Sequence, residues 1–144
     1  MMADTLFKKI LITTDGSEKN IPTIEEGLAI ARACGSKVYA TYVVDVRSFE
    51  SAPADVVTTD LGQMLQDESD FALKRIRLLA GETEVETVIL EGKPAAEIVK
   101  FAASHEIDLI VIGTKGKRGL ERLLLGSVAE SVVRSAGCNV LVVK

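Results

Sequence analysis

Five apolar, largely β-branched runs, each set off from the next by a stretch of different periodicity, restrict this chain more than any other feature of its sequence. Lys8–Thr14 (KKILITT), Val38–Val46 (VYATYVVDV), Val85–Leu90 (VETVIL), Asp108–Gly113 (DLIVIG) and Val140–Val143 (VLVV) read as strands. A run apolar on both faces, such as DLIVIG, belongs in a sheet covered from both sides. Between the first two strands, Ile21, Ile24, Leu28, Ala31 and Ala33 follow a largely helical spacing until Gly35 stops the pattern. Leu61–Ala80 is amphipathic, with Leu65, either Phe71 or Ala72, Ile76 and Leu79 turned inward and Gly81 closing it. Gly92-Lys93-Pro94 opens a helix over Ala95–Ser104, and Ser127 opens the last helix, which ends near Ala136.

Strand and helix alternate as βαβαβαβαβ. That order predicts an α/β fold, a three-layer sandwich in which a parallel sheet is wound by right-handed crossovers and covered on both faces, as one domain over residues 1–144. Such a sheet reverses its winding at one point, and ligands sit there, beyond the strand C-termini. A chain of 144 residues, 47% apolar and with three prolines, has the material for one substantial core and no linker to divide it. No apolar stretch approaches the roughly 20 residues that span a bilayer, so no membrane association is expected. The start, MMADTLFKKILITTDG, lacks a cleavable signal pattern, and a cytoplasmic protein is expected. Cys34 and Cys138 fit no metal or redox spacing and read as free thiols. His105, the sole histidine, has no neighbouring nucleophile or ligand set and reads as a helix C-terminal residue. Arg47–Asp60, with Ser, Pro and Asp and weak periodicity, is the segment expected to be mobile.

Charge is unevenly placed. Between Gly113 and Gly126, Lys115, Lys117, Arg118 and Arg122 face only Glu121, a local charge of +3 in a chain whose total is −4. A basic island in an acidic protein suits one local anionic ligand and argues against a general nucleic-acid binder. The same stretch holds Gly113, Gly116 and Gly126-Ser127, with nine residues between Gly116 and Gly126. It is neither a G-x-x-x-x-G-K-[ST] loop nor a G-x-G-x-x-G fingerprint after the first strand. Gly113, ending the fourth strand, would let a ligand approach bare backbone, and Gly116 would permit a turn that points amides inward. Gly126 and Ser127 stand where a helix N-terminus attracts anions. Ser127 and Glu130 also spell a capping box, which by itself accounts for the serine, and the two roles are compatible. Asp15-Gly16-Ser17 breaks the first strand. Asp15 there is either a turn former or an acid offered at a strand end, and Ser17 is placed to cap the following helix.

The spacing Gly113, Gly116, Gly126, Ser127 resembles the G-x2-G-x9-G-[S/T] motif of the ATP-binding branch of the universal stress protein family. The resemblance extends to KKILITTDGSEKN, VYATYVVDV, EGKPAAEIV and CNVLVVK, and so to nearly the whole chain. It implies a five-stranded parallel sheet of order 3-2-1-4-5, Rossmann-like and akin to the adenine nucleotide alpha hydrolases. It implies ATP as ligand, with a divalent cation, Mg or Mn, carried on the phosphates. Gly113, Gly116, Gly126 and Ser127 would hold phosphates and ribose, and Val128 would add a backbone amide. Asp15 would approach the ribose or the metal. Thr13 and Thr14 lie just before it, and Val43 and Ile112 would line the adenine slot. The family often has Pro where this chain has Thr13 and Asn139; the first departure bears on the adenine slot. Family members also pair the last strand with its twin, so a homodimer through Val140–Val143 is expected, against a monomer with a covered edge.

These residues support a nucleotide-dependent regulatory or stress-response protein acting on an unknown protein partner. The enzyme alternative is slow ATP hydrolysis or phosphoryl transfer, for which Asp15 is the one base in view near the motif. A dimeric scaffold without a nucleotide is the third reading.

Overall fold

The computed structural model describes residues 6–45, 59–114 and 126–144. Within them the chain runs β1 (Lys9–Thr14), a short 3-10 turn (Glu18–Asn20), α1 (Ile21–Cys34), β2 (Lys37–Asp45), α2 (Thr59–Ala80), β3 (Val85–Gly92), α3 (Pro94–Ser104), β4 (Leu109–Gly113), α4 (Ser127–Ser135) and β5 (Asn139–Val143). The strands pair in the order β3-β2-β1-β4-β5, and every pairing is parallel. This is the expected sheet. Residues 47–58 of the segment expected to be mobile, and Val46 at the end of the expected second strand, lie outside the described residues; α2 begins at Thr59, ahead of the expected Leu61.

β1 is the centre of the molecule, and its residues Ile10, Leu11 and Ile12 are all fully buried. Successive side chains of a strand point to opposite faces, so the sheet feeds two cores. One gathers Ile10, Ile12, Val38, Ala40 and Tyr42 under α1 and α2. The other gathers Leu11, Tyr39, Ile110 and Ile112 under α3 and α4. In α2 the inward stripe is Ala72, Ile76 and Ala80, at successive turns; Phe71 is 57% exposed, which resolves the choice left open by the sequence. His105 ends α3 as expected, its ring stacked on Phe101 with centroids 3.9 Å apart. Cys34 and Cys138 are both free thiols, and partial burial pushes the Cys138 thiol above its ordinary value. Among the described residues no helix is long and apolar enough to cross a membrane.

Candidate functional site

The sheet reverses its winding between β1 and β4: β2 and β3 lie to one side of this pair, β5 to the other. Their C-terminal ends therefore form the lips of the switch-point crevice. Thr13 and Thr14 close β1, with Asp15 next; Ile112 and Gly113 close β4. Alternation places Thr13, Val43 and Ile112 on the α3/α4 face, whereas Thr14 falls on the α1/α2 face. There the Thr14 hydroxyl accepts the Gly16 N–H at 3.0 Å, so its side chain shapes the turn. The β1–β2 pairing ends at Thr14 opposite Tyr42, while β2 continues beside β3 as far as Asp45 opposite Gly92. From Val43 onward, the β1-facing edge of β2 thus has no β1 residue opposite it.

The turn after β1 is built around Asp15. Its Oδ1 accepts both the Ser17 N–H at 2.9 Å and the Ser17 hydroxyl at 2.6 Å, an aspartate-centred turn of the kind that competes with helix capping. The expectation that Ser17 caps a helix is thereby corrected: it precedes the 3-10 turn, makes no side-chain capping bond, and α1 starts only at Ile21 with Asn20 as its cap residue. Asp15 Oδ2 is buried and has no hydrogen-bond partner among the described residues. Asn20, buried to 4% exposure, accepts the Asp15 backbone N–H at 3.0 Å through its Oδ1. Arg75 of α2 donates to the Gly16 carbonyl at 3.1 Å and lies over the Phe71 ring, tying α2 to the same turn. A cavity of about 470 Å³ opens beside it, lined by Asp15, Ser17, Lys19, Tyr42, Glu68 and Phe71.

Gly113 also has a packing reason that the sequence did not show. A Cβ built there would stand 2.7 Å from Thr23 Oγ1 and 2.8 Å from Asn20 Nδ2, both from the start of α1. The space left by the missing side chain is filled by α1, and the glycine lets that helix close against β4. Asn20 consequently touches both lips, bonding Asp15 and abutting Gly113. Sequence reasoning passed over it, although a signal existed. Asn20 stands four and eight residues before Ile24 and Leu28, a polar residue on the apolar stripe of α1.

At α4 the capping-box expectation is corrected by one residue of register. Gly126 is the cap, with extended backbone (φ −71°, ψ 164°), its carbonyl accepting the Glu130 N–H at 2.9 Å; among the described residues no side chain caps the helix. Ser127 is already the first helical residue and is exposed, and Glu130 pairs instead with Arg134 at 2.8 Å. The leading amides of α4 are therefore left by the helix itself for another acceptor. A Cβ on Gly126 would lie 3.0 Å from the Thr114 carbonyl, so this glycine lets the helix N-terminus approach the end of β4. Val128 is half-buried among the α3/α4 core residues, which leaves only its backbone to face the crevice. Gly116 and the basic residues Lys115, Lys117, Arg118 and Arg122 lie outside the described residues.

An orphaned carboxylate oxygen and an uncapped helix start suit a ligand with hydroxyls or a cation at one end and phosphate oxygens at the other. Among the described residues no three metal-ligating side chains converge. A divalent cation beside Asp15 would hence complete its shell from phosphate oxygens and water, as Mg²⁺ commonly does.

Sheet order, crevice and helix N-terminus define a doubly wound α/β protein built around its switch point. The universal stress protein family model matches residues 6–144, and the chain belongs to that family. It is 47% identical over 143 residues to the universal stress protein MJ0531 of Methanocaldococcus jannaschii, covering 98% of this chain and 84% of that one. Among solved structures it resembles the protein MJ0577, with a TM-score of 0.83, 32% identity and 96% of each chain covered. It also resembles a universal stress protein crystallised in complex with cAMP, with a TM-score of 0.70 and 28% identity, covering 96% of this chain and 97% of that one.

Proposed function

We propose that this chain binds ATP or another adenine nucleotide in the β1/β4 crevice and works as a nucleotide-dependent regulatory or stress-response protein. The observation that carries the reading is Asp15 Oδ2, a buried carboxylate oxygen with no partner among the described residues, at the switch point of a family member. A relative bound to cAMP supports the adenine class. In this reading Asp15 meets the ribose or a phosphate-bound Mg²⁺ or Mn²⁺. Thr13, Val43 and Ile112 line the base slot, with Thr14 behind them shaping the turn. Gly113, Gly116, Gly126, Ser127 and the Val128 amide serve the ribose and phosphates. The whole chain acts as one domain in the cytoplasm, a homodimer through Val140–Val143 whose nucleotide occupancy alters contact with a protein partner.

Isothermal titration with Mg-ATP tests the core of this reading. Saturable heat is expected from the native chain, and its loss in Gly126→Val, whose bulk would push the α4 N-terminus off the Thr114 carbonyl. No heat from the native protein sinks the proposal. Mass spectrometry of small molecules released on denaturation identifies the nucleotide.

A further inference from the structure

Helix α2 buries Ala72, Leu73, Ile76 and Ala80 against the sheet, and its opposite face carries a second apolar line. Met64, Phe71 and Leu78 are 59%, 57% and 75% exposed, three of the six large apolar side chains exposed among the described residues. They stand seven residues apart, close to two full helical turns, so they run in one line along the outside of the helix. One exposed leucine needs no explanation. Three large side chains in register form the kind of seam along which one helix packs on another.

Charge on the same face divides at Phe71. Asp67, Glu68 and Asp70 precede it; Lys74, Arg75 and Arg77 follow it. That order suits the helix dipole, which gives the charges a reason but leaves the apolar line without one. Helical spacing puts Asp67 and Lys74, both exposed, along one border of the line, and Glu68 and Arg75 along the other. Glu68 accepts the Tyr42 hydroxyl through one carboxylate oxygen, and Arg75 has donors beyond the one it gives to the Gly16 carbonyl.

A second α2, laid antiparallel across a two-fold axis at Phe71, meets every one of these positions. Residues equally far before and after Phe71 then lie level. Phe71 faces its own counterpart, and Leu78 faces the second copy's Met64. Lys74 comes within one residue, about 1.5 Å along the axis, of the level of the second copy's Asp67, and Arg75 likewise of its Glu68. A parallel pair in register would set acid against acid and base against base, which costs affinity.

We infer that the outer face of α2 docks a second copy of this chain, antiparallel about a two-fold axis at Phe71, the acidic half of each helix against the basic half of the other. This surface is separate from β5, which lies at the far edge of the sheet beyond β4, and the inference rests on neither the nucleotide nor pairing through that strand. One helix on another makes a small interface, so the association is weak and concentration-dependent.

Sedimentation equilibrium of the full chain from about 1 µM to about 1 mM follows the association. The mass is expected to double towards the upper end, over whatever species β5 sets at the lower end. Asp67→Lys and Lys74→Asp should each weaken this step by about tenfold, since two exposed ion pairs become two repulsions. Mixed in equal amounts, the two variants should associate again, each with the other. Both substitutions in one chain should restore the native step. Phe71→Ser should abolish it and leave the melting temperature unchanged. No doubling in the native chain overturns the inference, and so does an undiminished step in either charge variant. A mixture that fails to recover overturns the antiparallel register and the inference with it. A lower melting temperature in Phe71→Ser with association unchanged marks a line covered within its own chain, which also overturns it.

Discussion

Ser127 occupies the first helical position of α4, one residue past the cap, so its hydroxyl does not hold the helix end together. Ser127→Ala should therefore change stability by no more than about 0.5 kcal/mol, where loss of a true cap costs about 1 kcal/mol. Nucleotide affinity should fall by about tenfold or more in the same variant, since a hydrogen bond to a charged group contributes about 1.5–3 kcal/mol. Thermal melting and titration together check this, and a marked fall in melting temperature would restore the capping role. Gly113 predicts the opposite pattern. Its Cβ would press on Thr23 and Asn20, so Gly113→Ala should destabilise the fold by about 1–3 kcal/mol in chemical denaturation. Both positions were visible as a motif in the sequence. Their physical reasons were not, because a one-residue shift of a cap and the packing of α1 onto β4 are tertiary facts. Asn20 shows the same limit, its partner Asp15 being near in sequence but Gly113 far away.

At the scale of elements, periodicity carried almost everything. Among the described residues the five strands and four α-helices follow from apolar runs of two kinds, and only end positions moved, as at Thr59 and Lys37. β5 is an edge strand, and its hydrogen-bonding directions alternate along its length. The Val143 carbonyl accepts the Thr114 N–H, so Val143 faces β4 and the backbone of Val142 faces outward. Proline at 142 would remove only an outward-facing donor, an arrangement that edge strands tolerate. Val142→Pro should thus leave a folded protein that light scattering reports as a monomer, if dimers form through this strand. A native chain that is monomeric at micromolar concentration removes the dimer altogether.

For the whole molecule, the strand order came from resemblance; alternation alone dictated a parallel sheet but not where its winding turns. Once β1 and β4 are neighbours, Asp15, Gly113 and the α4 N-terminus meet at one end of the sheet with no further assumption. A ligand bound there stabilises the native state by mass action, about 2.7 kcal/mol at a hundredfold excess over Kd. Thermal melting with saturating Mg-ATP should rise by several degrees, and Asp15→Asn should show a smaller rise at equal nucleotide. The bond from the Asp15 amide to the buried Asn20 side chain also acts as a clock. That proton exchanges with solvent when its bond to Asn20 opens, so its lifetime measures how often the turn at the end of β1 opens. Nucleotide should lengthen that lifetime by the same factor by which it favours the closed state, giving a readout of occupancy at one backbone atom.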